Sequence, residues 1–137
     1  MAVDIHVTYE GGLRCKAVHG PSGESLLTDA PVDNQGQGAS FSPTDLVPTS
    51  LGACILTTMA IMAERRGIDL SGARVDVQKH MVADPQRRIA RLPVTLTMPA
   101  GIPVEYRDRL EKAAHTCPVH RSLGADVDAP IEFVWPD

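Results

Sequence analysis

The chain has 137 residues, enough for one domain whose core needs no disulfide or metal staple. Hydrophobic residues make up 43% and charged residues 22%, an ordinary balance for a globular protein. A formal net charge of −4, with no basic run, excludes a nucleic-acid or anionic-membrane surface and leaves a small molecule or another protein as the partner.

From the N-terminus, Val3, Ile5, Val7 and Tyr9 alternate with polar residues, which predicts a strand closed by a turn at Gly11-Gly12. No apolar leader precedes it, so a secretory signal is not expected and a cytoplasmic location is. Leu13 to His19 is the expected return strand, and Ser25 to Thr28 a third, ending at Asp29-Ala30-Pro31. Val32 to Ser40, with Asn34, Gly36 and Gly38, reads as a polar loop.

Ser42-Pro43-Thr44-Asp45 has the signature of a helix start: a capping hydroxyl, a proline at the first helical position, and an acid three residues on. Leu46 to Ala63 then contains no charged residue, and Gly67 is a natural stop. Pro48 is expected to kink or restart this helix. Its length approaches that of a bilayer span, but Pro48, Thr49, Ser50, Gly52, Thr57 and Thr58 favour a buried helix of a soluble protein. A helix apolar all round must be covered on every side, so a second subunit is expected to cover what this chain cannot.

Arg74 to Val82 and Ile89 to Met98 alternate again around Ala83-Asp84-Pro85-Gln86, a predicted hairpin. A second helix is expected from about Val104 to Thr116. Leu110, Ala113, Ala114 and Cys117 are spaced to share its apolar face, and Pro118 is expected to end it. Asp128 to Trp135 is a last strand. The order βββ-α-ββ-α-β is an α+β pattern without repeats, expected as one domain over 1–137.

The chemistry-bearing residues are few. Three cysteines, at 15, 54 and 117, are an odd count that argues against a secreted disulfide scaffold. Cys54 follows Gly52 and Ala53 on the long helix, with Ser50, Thr57 and Thr58 one turn away. It reads either as a small core residue or as a thiol whose ionised form those hydroxyls could bond. Cys117 stands among His115, His120 and Arg121. Those cations would favour its thiolate, while its helical spacing fits simple packing equally well. Zinc is a third option from His115, Cys117, His120, Cys54 and Cys15, but the strong ligand spacings are absent. Cys15, on an alternating strand, is most simply a packing residue, and His6, His19 and His80 need no special role.

Phe41-Ser42-Pro43-Thr44-Asp45-Leu46 with Ser50-Leu51-Gly52-Ala53-Cys54, and Ala114-His115-Thr116-Cys117-Pro118-Val119-His120, resemble the two cysteine motifs of the OsmC/Ohr family. Thr28-Asp29-Ala30-Pro31 and the order of elements agree, so the resemblance covers nearly the whole chain. It implies an intertwined homodimer of OsmC-like fold acting as a peroxiredoxin-type thiol peroxidase in oxidative-stress defence. Cys54 would be the peroxidatic cysteine and Cys117 the resolving one. The substrate would be an organic hydroperoxide or hydrogen peroxide, an external dithiol would be the reductant, and no cofactor would be needed.

The chain departs from the organic-hydroperoxide branch where the glutamate after the helix-start proline would stand. Thr44 occupies that position, with Asp45 one residue later. The arginine expected directly after a Gly-Gly pair is displaced likewise: Leu13 follows Gly11-Gly12, and Arg14 comes next. A one-residue offset in a strand turns a side chain to the opposite face. Arg14, Thr44, Asp45 and His120 are thus supporting candidates. The alternatives are an OsmC-fold binding protein with an apolar pocket, or a thiol redox sensor that recycles slowly.

Overall fold

A computed structural model describes residues 1–136; Asp137, the last residue of the domain expected over 1–137, lies outside the described residues. The chain divides into two compact units, Met1–Val47 and Pro48–Asp137.

The first unit is an antiparallel meander of β1 (Ile5–Gly11), β2 (Arg14–His19) and β3 (Ser25–Asp29) in the order β1-β2-β3. Pairing sets Val7 opposite Ala17 and Ala17 opposite Leu26, and Tyr9 opposite Cys15. Strand periodicity therefore collects Ile5, Val7, Tyr9, Cys15, Ala17 and Leu26 on one face. Ile5, Val7 and Tyr9 are 56%, 63% and 63% exposed, so that face is uncovered in the single chain. Leu13 does not begin the return strand as expected: it adopts φ +65° and completes the turn with Gly11 and Gly12. The loop after β3 contains a 3-10 turn (Val32–Asn34) and is gathered on Asp29. The Asp29 N–H donates to Phe41 O (3.1 Å), and its Oδ2 accepts the Ala39 N–H (3.0 Å).

The helix α1 (Pro43–Glu64) begins in this unit and continues into the second. Ser42 and Asp45 close the expected capping box. The Ser42 N–H donates to Asp45 Oδ2 (2.9 Å), and the Asp45 N–H donates to Ser42 Oγ (3.2 Å). Pro48 does not restart the helix, which runs as one element through it. Being only the sixth helical residue, Pro48 removes a single ladder bond next to a start that is already capped.

The second unit holds the core. From α1, Leu51, Ile55, Met59 and Ala63 are wholly buried with Leu92, Leu96, Leu110 and Ala114. Its strands are β4 (Arg74–Val77), β5 (His80–Val82), β6 (Arg88–Arg91), β7 (Val94–Thr97) and β8 (Ile131–Val134). β4 and β8 flank β7, antiparallel and parallel respectively, while β5 and β6 form a separate ribbon. The predicted hairpin is therefore cut in two. Pro93 lies at the cut, where it has no N–H to give the ladder, and its carbonyl accepts the Gln78 N–H (3.1 Å). Gly52 lies where β4 presses on α1: a Cβ there would stand 3.1 Å from Val75 Cγ1 and 3.3 Å from Val77 Cγ2.

As its all-round apolar run led us to expect, α1 is covered by this chain on one flank only: a single stripe from Pro48 through Leu51, Ile55 and Met59 to Ala63 is buried, and Ala53, Thr57 and Ile61 remain exposed. The second predicted helix needs correction: its span is two pieces, a 3-10 turn (Val104–Tyr106) and α2 (Arg107–Ala114), and a further helix, α3 (Pro118–Ser122), follows where a stop was expected. Pro118 ends one helix and starts another. The residue before a proline is pushed out of helical geometry, and Cys117 accordingly sits at φ −54°, ψ 124° as the cap of α3 rather than on the stripe of α2.

Candidate active site

The second unit brings Cys54 and Cys117 together. Cys54 projects from the middle of α1, and Cys117 occupies the joint between α2 and α3. Both are free thiols, near enough to one another that each shifts the other's ionisation. Cys117 is completely buried and Cys54 partly so.

The donors around the pair are mostly main-chain. Because Cys117 caps α3, its Sγ accepts the His120 N–H at 3.4 Å. The Val119 N–H reaches both sulfurs. Thr58, one turn along α1, places its hydroxyl oxygen 3.9 Å from Cys54 Sγ. Burial works against ionisation of Cys54, but the hydrogen bonds from the Cys117 thiol, the Val119 amide and the Thr58 hydroxyl outweigh it, and its pKa falls below that of an ordinary thiol. Cys117 moves the other way. Burial and its hydrogen bond to Cys54 raise it, the amides of His120 and Val119 offset this in part, and the like charge of a Cys54 thiolate raises it further. The pair is thus one thiol disposed to ionise beside one disposed to keep its proton.

The expected cations contribute little here. The His120 ring is turned away to the Ala129 carbonyl, which its Nε2 contacts at 3.0 Å. A carbonyl only accepts, so that nitrogen carries the hydrogen. The His115 ring packs against His120 and Phe133 at centroid distances of 6.3 and 6.1 Å. Among the described residues, no three His, Cys, Asp or Glu side chains converge on a metal position.

The other predicted residues belong to the first unit. Arg14 pairs with Asp29 (3.6 Å) and donates to Gln37 Oε1 (3.2 Å). Asp45 serves the helix cap, and Thr44 shares a hydrogen bond with Ser42 (Oγ1 to Oγ, 3.1 Å). Cys15 lies on β2 in the apolar face of the meander. What sequence reasoning missed is the pair of amides at Val119 and His120. The signal was present in the Cys-Pro step, which reads as a helix start as readily as a stop.

Residues 36–132 match the family model described as OsmC-like protein. The chain is 39% identical to a candidate osmotic stress induced and detoxification response protein of Psychrobacter arcticus. The match has a TM-score of 0.90 and covers 98% of this chain and 97% of that one. An organic hydroperoxide resistance protein OsmC of Legionella pneumophila shares the fold at 15% identity, with a TM-score of 0.77 and 97% and 96% of the chains covered. The organic hydroperoxide resistance protein OhrB of Bacillus subtilis does so at 16% identity, with a TM-score of 0.71 and 98% of each chain covered. None of the curated proteins matches the chain.

Proposed function

Because the chain belongs to the OsmC-like protein family, which includes organic hydroperoxide resistance proteins, we propose that it is a thiol-dependent peroxide reductase working through Cys54 and Cys117. One observation carries this reading: the fold sets Cys54 and Cys117 close enough for each to shift the other's ionisation, lowering the pKa of Cys54 and raising that of Cys117.

The Cys54 thiolate attacks one oxygen of a peroxide ROOH. The O–O bond breaks, the departing RO⁻ takes a proton and leaves as the alcohol (or water), and Cys54 becomes a sulfenic acid. Cys117 attacks that sulfur as its thiolate. An S–S bond forms, the sulfenic hydroxyl leaves as water, and the site is oxidised by two electrons in all. An external dithiol returns both electrons by exchange. No cofactor enters these steps.

The assembly proposed is a homodimer, supported by the exposed apolar face of the meander and the uncovered side of α1. A cytoplasmic, reducing compartment would supply the dithiol. Thr44, standing where the hydroperoxide branch has an acid, supports a second reading, a binding protein of the same fold with little peroxide chemistry; a redox sensor would instead form the same disulfide and recycle slowly.

The test is treatment of the reduced protein with cumene hydroperoxide, followed by disulfide mapping and a coupled turnover assay. A Cys54–Cys117 bond and catalytic peroxide loss are expected, with turnover abolished in Cys54→Ser. A bond without turnover above free dithiol favours the sensor, and no bond removes the mechanism.

A further inference from the structure

The two sulfurs of a disulfide are equivalent only when their surroundings are, and here they are not. Cys117 has 0% of its surface exposed, whereas Cys54 is partly open. Association with another subunit removes surface and adds none, so Cys117 stays enclosed in any assembly. Cys117 also has two amide donors on its own segment that would stabilise a thiolate: the His120 N–H at 3.4 Å and the Val119 N–H.

Building on the disulfide chemistry proposed above, we infer that the dithiol reductant enters at Cys54 and that Cys117 is the leaving sulfur. A reductant thiolate attacks Cys54 Sγ and forms a mixed disulfide. The Cys54–Cys117 bond breaks, and its electron pair departs on Cys117 Sγ, which then takes a proton. The second thiolate of the reductant next attacks the reductant's own sulfur in the mixed disulfide. This releases Cys54 as the thiolate and leaves the reductant as a cyclic or intramolecular disulfide. Two electrons pass from dithiol to protein.

Leaving-group chemistry taken from the resting pair points the other way, since Cys54 has the lower pKa and more acidic thiols leave faster. Burial, the largest of the effects that hold Cys117 up, persists throughout the exchange, but the other two come from Cys54 itself: the hydrogen bond between the thiols and the repulsion between their charges. A Cys54 sulfur bonded to reductant carries no charge and no hydrogen, so both effects vanish while the two amides remain. Access decides the rest. Exchange needs approach along the S–S axis from the side opposite the leaving sulfur, and Cys117 has no open side.

The experiment uses the full chain. Its disulfide is formed with diamide, independently of any peroxide, and is then exposed to glutathione for short intervals. Samples are quenched in acid, alkylated with N-ethylmaleimide and peptide-mapped, which also separates any adduct on Cys15. Glutathione on Cys54 with maleimide on Cys117 is expected, exceeding the reverse pattern by about tenfold or more. Predominant glutathionylation of Cys117, equal shares, or failure of diamide to join the two cysteines would each overturn the inference.

A second measurement compares the single variants. Cys117→Ser should react with 5,5′-dithiobis(2-nitrobenzoate) at Cys54 about tenfold faster than Cys54→Ser reacts at Cys117. Equal rates contradict the inference. The outcome is separable from the peroxidase reading: a protein inert to peroxide that takes glutathione at Cys54 keeps this inference and loses that function. Peroxide turnover with glutathione entering at Cys117 does the reverse.

Discussion

Cys54 acquires its acidity from neighbours that carry no formal positive charge. The Val119 amide and the Thr58 hydroxyl lower its pKa together with the Cys117 thiol, against the burial that raises it. Iodoacetamide alkylation of Cys54 followed against pH should therefore show its midpoint below the ordinary thiol value of about 8.5. Thr58→Val should move that midpoint upward and slow alkylation at neutral pH, and Thr58→Ser should restore both. A midpoint unmoved in Thr58→Val would remove the hydroxyl from the site.

Asp29 is the second residue whose ionisation is built into the structure. The Ala39 amide lowers its pKa against burial, and the Arg14 guanidinium adds to the lowering. A carboxylate held below its unfolded value of about 3.9 contributes stability fully above that pH, and the contribution is lost as pH falls through the folded pKa. Asp29→Asn should thus lower the melting temperature at pH 7, and the gap to the unaltered protein should close in melts taken toward pH 3.

At this scale the sequence was legible where side chains carry the chemistry and silent where the backbone does. Both cysteines were identifiable, and Thr58 was among the hydroxyls one turn from Cys54. The amides of Val119 and His120 have no residue signature. Arg121, His115 and His120 looked like the electropositive surroundings of Cys117 because they are its neighbours in sequence, but α3 turns the His120 ring to Ala129 instead. Arg14 is occupied by Asp29, a partner 15 positions along the chain that only the β2–β3 register reveals.

Among the elements, prolines separate what was read correctly from what was not. The capping box at Ser42 and Asp45 was visible because it is local and stereotyped. Pro93 and Pro118 were harder because each has two meanings. In the first case alternation continued on both sides of a break, so one long strand was expected where β6 and β7 stand in different sheets. In the second a stop was seen and a start overlooked, which is why Cys117 was expected on the face of a helix instead of at its cap. The α1–β4 contact gives a packing prediction. Gly52 has no room for a branched side chain beside Val75 and Val77, so Gly52→Val should cost about 1–3 kcal/mol of stability by overpacking, measurable by urea denaturation. A smaller loss would mean that β4 can retreat from the helix.

For the whole molecule, the exposed residues say as much as the buried ones. Ile5, Val7, Tyr9 and Leu26 on one sheet face, and Ala53, Thr57 and Ile61 on α1, are left uncovered by this chain. The apolar run of α1 predicted that something must cover it, since composition alone sets that requirement, but the extent of the uncovered surface depended on the tertiary arrangement. Light scattering is expected to give twice the chain mass, with Val7→Glu and Ile61→Glu each shifting the population toward monomer. A monomer before any substitution would rule out the dimer.

The meeting of Cys54 and Cys117 also has a thermodynamic side. A covalent link between them would close a loop of roughly 60 residues, and the denatured chain would lose about 4 kcal/mol worth of conformational freedom by the loop-closure relation. The oxidised protein should then unfold several degrees above the reduced one, and a calorimetric scan of material taken straight from cells would report how much of it had recently spent its electrons.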